Sequence, residues 1–367
     1  MTEQKIVNRR RFIQTAGAGI GAAGALLGTT AAGAAAPRAA TQRTAKPLSE
    51  KEKLARLASN TWPLRSLFKG RPGPNRNPRG EEMKKTYGEI TMLDMPRFTK
   101  DTFPGVTRMD LFSGLFGDVT DDTMFVAAGP SGRGREFDPS SPSGRKWLDT
   151  LANTMAATGT ACQHISNNAP RGLSDLDPEA RKTGIDVAKK WLDAGKIIGA
   201  TSMRVNSGGP RIAPSAVAEQ GQYPKADELA VYLGHCIESL KELADYGGKA
   251  GVKVTLENHW GLTANPINVR IVLDEVNHPF CEASPDFCNW EHEYMLYHGL
   301  KALAPYAHSN VHAKYWDRWG DKNDVGRSVR IMMEAGFEGT FALEYEAGPW
   351  DGVEGSKYLY REVLAAL

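Results

Sequence analysis

Glu257, Asp286, His312 and Glu344 are the residues in this 367-residue chain whose types and spacing suit a metal centre. Each closes a short, largely apolar run: Val252–Glu257, Cys281–Asp286, His308–His312 and Thr340–Glu344. The intervals, 257 to 286, 286 to 312 and 312 to 344, are 29, 26 and 32 residues. One carboxylate at a strand end is readily explained as a structural ion pair. Four metal-competent groups in register are not, because like charges gathered at one place repel and raise each other's pKa values unless positive charge lies between them. A divalent cation supplies that charge. Three carboxylates and one imidazole are a hard, oxygen-rich set, which favours Mn2+, Mg2+ or Co2+ and leaves Zn2+ open.

Side chains so far apart in sequence converge only if a repeating element brings them together, and each interval is about one strand plus one helix. Short apolar runs alternate with helical stretches through most of the chain, the pattern of βα units on a parallel sheet. The expected strands end near Leu67, Phe112, Ile165, Val205, Glu257, Asp286, His312 and Glu344. Between two of them, Leu229, Tyr232, Leu233, Cys236, Leu240 and Leu243 recur at helical spacing within Ala226 to Lys249. A last helix over Gly355 to Leu367 would close the ring. Eight such units predict an α/β fold, a single-domain (β/α)8 TIM barrel over residues 61–367, whose rim collects the C-terminal strand ends. Three long insertions, Lys69 to Lys85, Ala127 to Lys146 and Ser207 to Ala226, follow strands and so belong to that rim, where they could close as a lid.

In its last third the sequence resembles the xylose-isomerase-like TIM-barrel family of sugar isomerases and epimerases. The resemblance rests on Leu256–His259, Ser284–Phe287, Val311–Lys314 and Leu343–Glu346. It implies a metal site of Glu, Asp, His and Glu in that chain order, with the two glutamates flanking a sugar substrate as proton-transfer groups. An arginine six residues beyond the histidine, here Arg318, is implied to lie near the substrate. Two departures matter: Asn289 stands where related epimerases often have a histidine, and Thr263 where they have a glutamate, so substrate identity does not carry over. The chemistry is consistent on physical grounds. Proton removal beside a carbonyl makes an enolate whose oxygen needs an electrophile, and Glu257 and Glu344 are the candidate acid/base pair. Because both also bind the metal, their titrations are coupled.

Alternation along a strand places His259 on the face of Glu257, and Glu346 on that of Glu344, so both are candidate substrate contacts. Lys314, two residues after His312, could steady an oxyanion. Arg204 and Asn206 end the fourth strand and could bind hydroxyls; His164 and Asn167 end the third. Trp260, Trp290, Trp316 and Trp319 follow the ligand strands and could form an aromatic wall against sugar CH groups, although packing explains any one of them equally well.

The first residues are of another kind. Asn8 to Gln14 contains Arg9, Arg10 and Arg11 and leads into a Gly/Ala-rich run from Ala16 to Leu27, then Ala34 to Ala36. Residues 1–36 are expected to be a twin-arginine signal peptide, handled by the twin-arginine translocase, with a periplasmic or extracellular destination and no stable membrane anchor. The apolar run is too short to span a bilayer. Residues 37–60 are expected to be a polar linker. Removing 1–36 takes away Lys5 and three arginines against Glu3, a net +3, so the formal charge falls from +2 to −1. Nothing in that balance suggests a nucleic-acid partner. The four cysteines form no CxxC pair and are expected to be free thiols. A small carbohydrate is the expected partner, and self-association is left open. Three functions compete: a metal-dependent isomerase or epimerase working through an enediolate, a lyase or dehydratase that forms the same enolate and expels a β-substituent, and a non-catalytic carbohydrate-binding barrel. The apurinic endonuclease branch of the same barrel would need more metal ligands and a basic groove.

Overall fold

Helix punctuation in the sequence sets where each strand can start. Helix Pro142–Thr158 opens with Ser141 accepting the Gly144 N–H and with proline in its first turn, and it stops at Gly159 in the left-handed region, φ 68°. Helix Pro178–Ile198 repeats that grammar with Asp177, Pro178 and Gly199, φ 69°. Helix Pro266–Val276 does so with Asn265, Pro266 and Asn277, φ 42°. Each side-chain cap is worth about 1 kcal/mol, and each left-handed residue turns the chain back toward the sheet.

The computed structural model describes residues 47–70, 78–128, 134–210 and 226–367. Its strands are β1 Leu57–Asn60, β2 Arg108–Phe112, β3 Phe125–Ala127, β4 Arg135–Phe137, β5 Ala161–Ser166, β6 Ser202–Val205, β7 Lys253–Leu256, β8 Cys281–Ala283, β9 Asn310–Trp316 and β10 Thr340–Ala347. Eight of them form one parallel sheet in the order β8-β7-β6-β5-β2-β1-β10-β9. The two ends of that order meet in parallel bridges, Ala283 with Ala307 and Asp286 with His312. Phe287 N donates to His312 O at 3.1 Å and His312 N to Pro285 O at 3.0 Å, so the seam closes beside two of the candidate ligands. The fold is the expected TIM barrel. β3 and β4 form a separate antiparallel pair.

Because helices cover a parallel sheet, its strands are buried throughout, as all four residues of β1 and of β6 are. The core runs from Leu57, Met109 and Ile165 through Met203, Val254 and Leu256 to Val311, Phe341 and Leu343. At the β9–β10 side, a Cβ on Gly339 would collide with the backbone carbonyls of His308 and Ser309, so this entry to β10 accepts only glycine.

Residues Leu48–Leu367 form one compact unit, and it begins earlier than the sequence suggests. The polar stretch expected as linker contains helix Glu50–Leu54, closed by a reciprocal cap between Ser49 and Glu52, and then β1. The strand expected to end near Leu67 is instead helix Thr61–Leu64 followed by a 3-10 turn, Arg65–Leu67. Asn60 accepts the Trp62 N–H at 2.7 Å, and this side-chain cap ends the strand and starts the helix. Of the three candidate lid insertions, the first holds most of helix Pro78–Tyr87 and the second holds β4; residues 211–225 of the third lie outside the described residues. So does the expected signal peptide. No helix among the described residues is long and apolar enough to cross a membrane. The four cysteines are free.

Candidate active site

His312 is the centre of the site. Its Nδ1 lies 2.6 Å from Glu257 Oε1, 3.4 Å from Glu344 Oε2 and 3.8 Å from Asp286 Oδ2. The register brings this about. Asp286 bridges His312 across the seam, and β10 pairs with β9 so that Ala342 lies opposite His312 and Glu344 opposite Lys314. Glu257 follows directly on β7. Glu257, Asp286 and His312 each present a possible ligand atom within 4.8 Å of the others.

Alternation adds a second row, with Lys314 above His312 and Glu346 above Glu344. The Lys314 ammonium sits 2.8 Å from Glu344 Oε1, 2.9 Å from Asp286 Oδ2 and 3.4 Å from Glu346 Oε2, and it donates to Asn289 Oδ1 at 3.1 Å. Arg204, buried on β6, places a guanidinium nitrogen 2.5 Å from Glu257 Oε2 and donates from Nε to the Asn167 carbonyl. The acidic cluster is therefore compensated in part by the chain itself, which the sequence argument for a cation did not foresee.

These contacts set the protonation states. Burial works against a charge on His312, but Glu344, Glu257 and Asp110 outweigh it and hold the imidazole well above its ordinary pKa. Burial also penalises the Glu257 carboxylate, yet Arg204 and His312 bring it well below the ordinary value. Asp286 goes the other way: burial, joined by Glu344 and Glu257, raises it to about 7 against the pull of Lys314.

The donor set fits a hard divalent cation, and Asp286 gives the clearest sign. Its Oδ1 accepts the backbone N–H groups of Cys288 at 2.7 Å and Asn289 at 2.9 Å, which fixes the carboxylate plane. Its Oδ2 is buried and accepts no hydrogen bond, the Lys314 ammonium standing at ion-pair distance outside hydrogen-bond geometry. A buried carboxylate oxygen without a donor is suited to a metal.

Beneath these groups lies Asp110 on β2, a residue that sequence reasoning missed. It is fully buried. Its Oδ2 accepts from His312 Nε2 at 2.9 Å and Asn310 Nδ2 at 3.0 Å, and its Oδ1 from Ser166 Oγ at 2.7 Å. Such a carboxylate fixes the ring orientation and tautomer of a ligating histidine. His164 stands beside it, bonded through Nδ1 to Ser202 Oγ at 2.8 Å, and burial drives its pKa down to about 4. Asp110, His164 and His312 also lie within 4.8 Å as possible ligands, but both Asp110 oxygens are already taken up by hydrogen bonds. The signal in the sequence was a lone aspartate inside the strand Arg108–Phe112, where a buried charge persists only with partners.

The cluster opens into a cavity of about 250 Å3. Ser166, Asn168, Arg204, His259, Asn289, Lys314, Glu344 and Glu346 give it polar lining, and Trp62, Phe112, Trp260 and Trp316 give it aromatic lining. Trp62 Nε1 donates to Glu346 Oε2 at 2.9 Å, and its ring meets Phe112 edge-on at 5.0 Å. The glutamate pair is asymmetric: Glu344 lines the cavity, whereas Glu257 lies below it with both oxygens engaged.

Of the expected substrate contacts, His259, Lys314, Arg204 and Glu346 line the cavity. Arg318 does not. The 3-10 turn Asp317–Lys322 breaks the strand alternation, and the guanidinium stacks on Trp316 and Trp319, 4.5 and 4.2 Å from the ring centres. Trp290 and Trp319 are buried, each donating its indole N–H to a backbone carbonyl, while Asn206 donates to Asn167 O.

The model of the xylose isomerase-like TIM barrel family matches residues 124–367. The chain belongs to that family. Among curated proteins none matches the sequence. Solved structures of similar fold include L-ribulose 3-epimerase, 13% identical, covering 85% of this chain and 95% of that one, TM-score 0.56. Another is the 3-keto-D-glucoside 4-epimerase YcjR from E. coli, 12% identical over 83% and 98% of the two chains, TM-score 0.53. A third is a xylose isomerase-like TIM barrel protein from Mycobacterium smegmatis in complex with magnesium, 17% identical over 86% and 98%, TM-score 0.50. At these identities the likeness is one of fold.

Proposed function

We propose that this family member is a metal-dependent isomerase or epimerase of a sugar or keto-sugar, working through an enediolate. The observation that carries the reading is the convergence of Glu257, Asp286, Glu344 and His312 Nδ1 beneath a polar and aromatic cavity. Glu257, Asp286, His312 and Glu344 would hold one divalent ion, with Mn2+, Mg2+ and Co2+ suited to the donors. Bound there, such an ion supplies electrophilic stabilisation of a substrate enolate oxygen.

The chain's own groups do the rest. Glu344, which lines the cavity, takes the proton from the hydroxyl-bearing carbon next to the substrate carbonyl and returns it to the carbonyl carbon in an isomerisation, while the hydroxyl proton passes to the former carbonyl oxygen. An epimerisation needs a second donor on the opposite face, the role assigned to Glu257, which must first loosen its contact with Arg204. Lys314 and His259 bind substrate oxygens, and Trp260 and Trp316 pack on sugar CH faces. Export through the twin-arginine pathway, resting on residues 1–36, is part of the same proposal.

Incubation of metal-loaded protein with candidate keto-sugars in D2O tests the reading. Deuterium in a product with the substrate's composition is expected, and it should vanish with chelator. Release of water or an aglycone would make the protein a lyase. Sugar binding indifferent to chelator, with no turnover after metal is restored, would leave only a binding barrel.

A further inference from the structure

The ammonium of Lys314 and a divalent cation make claims on the same oxygen atoms. Asp286 has one oxygen to offer, Oδ2, because Oδ1 is committed to the Cys288 and Asn289 N–H groups. Lys314 Nζ lies 2.9 Å from that oxygen and 2.8 Å from Glu344 Oε1, so it bridges two of the four candidate ligands. Its side chain is buried, and the repulsion between an ammonium and a divalent ion sharing an oxygen is poorly screened there.

A second seat lies within reach. The ammonium already donates to Asn289 Oδ1 at 3.1 Å, and Glu346 Oε2 stands 3.4 Å away, so a small shift completes that seat. Glu346 is held in place by the indole N–H of Trp62, and Glu346 and Asn289 both line the cavity.

We propose that Lys314 is a tethered competitor for the cation: its ammonium bridges Asp286 and Glu344, and loading of a divalent ion shifts it off both carboxylates toward Glu346, with its bond to Asn289 retained. The proposal rests on the metal reading above and adds to it. It makes Lys314 a positioning residue whose place reports metal loading to the substrate cavity. A purely supportive lysine, one that merely holds the carboxylates in place for the metal, predicts the opposite sign: its removal would weaken metal binding.

Calorimetric titration of metal-stripped protein with Mn2+ separates the two. Lys314→Met keeps much of the stem and removes the charge; it is expected to tighten Mn2+ about ten-fold or more. The stripped variant should melt below stripped wild type, and Mn2+ should raise its Tm by more than it raises that of wild type. Glu346→Gln, at a partly exposed position that leaves the core intact, removes the second seat and should weaken Mn2+ by about three-fold or more. Should Lys314→Met fail to fold without metal, Glu346→Gln decides alone. Unchanged or weaker affinity in Lys314→Met, or unchanged affinity in Glu346→Gln, overturns the proposal while leaving the metal reading intact. No Mn2+ binding by wild type or either variant overturns both.

Discussion

Strands β7 to β10 and strands β1, β2 and β5 meet at one site but bring different things to it. The first group supplies the charged groups that face one another: Glu257, Asp286, His312, Lys314 and Glu344. The second group supplies Asp110, Ser166 and Asn60, a hydrogen-bonding layer that touches His312 and Glu344 from behind. One half would hold the cation and the other would hold the holders. If that division is right, substitutions in the first half should remove function, and those in the second should weaken it in graded steps.

Glu257→Gln should have the largest effect. It removes a ligand oxygen and also leaves the buried Arg204 guanidinium without its carboxylate. Loss of one partner of a buried pair costs about 3–5 kcal/mol, so a large fall in Tm is expected along with loss of measurable Mn2+ binding. Normal Mn2+ binding by calorimetry would take Glu257 out of the metal site.

Asp110→Asn comes next and tests the second half. The amide keeps the shape but no longer demands a proton on His312 Nε2, so the ring can present the wrong tautomer. Partners of this kind are worth about 10–100-fold in metal affinity. An affinity equal to wild type would reduce Asp110 to a core hydrogen-bond acceptor and erase the proposed division.

The two halves were unequally legible in the sequence, and for a physical reason. Charged residues at strand ends spaced by one βα unit stand out because strand ends in a barrel share a rim, so the pattern alone singles out Glu257, Asp286, His312 and Glu344. Asp110 lies mid-strand and depends on Ser166, Asn310 and His312, partners 56, 200 and 202 residues away, which no local pattern reveals. The same limit applies to compensation. Arg204 could be singled out, but its commitment to Glu257 depends on pairing β6 with β7. At β1 the reading failed because Leu57–Asn60 is four residues long and lacks β-branched side chains, while the more apolar Trp62–Leu67 stretch looked like the strand and forms helical turns. Arg318 was named from the family resemblance, and after β9 the 3-10 turn sets its guanidinium against Trp316, whose ring lines the cavity.

His164 sharpens the comparison through pH. Its pKa falls from 6.5 to about 4 in the folded protein. Between those values the unfolded chain binds a proton that the folded chain refuses, so stability is lost as pH drops through the window, by about 3 kcal/mol for the full shift. Asp286, raised to about 7, acts in the opposite sense over an overlapping range, since its folded form holds a proton that the unfolded form releases. The difference between wild type and His164→Asn isolates the histidine: Tm measured from pH 7 to pH 4 should fall less steeply in the variant. Parallel curves would mean that His164 binds its proton equally well in the folded and the unfolded chain, and a steeper fall in the variant that the fold holds it charged.

The smallest effect is expected at the cavity mouth, in Trp260→Ala. Trp260 is 52% exposed and lines the cavity, and its ring meets that of His259 at 5.0 Å. It has no contact with the four candidate ligands among its ring interactions, so neither metal affinity nor the reacting groups should change. What the variant loses is apolar surface for the CH face of a sugar, worth about 1 kcal/mol. That corresponds to a rise in KM of about five-fold with kcat held, the signature of an interaction made equally in the bound substrate and the transition state. A fall in kcat at constant KM would instead tie the indole to the chemistry through His259, and the mouth would then belong with the charged half of the barrel.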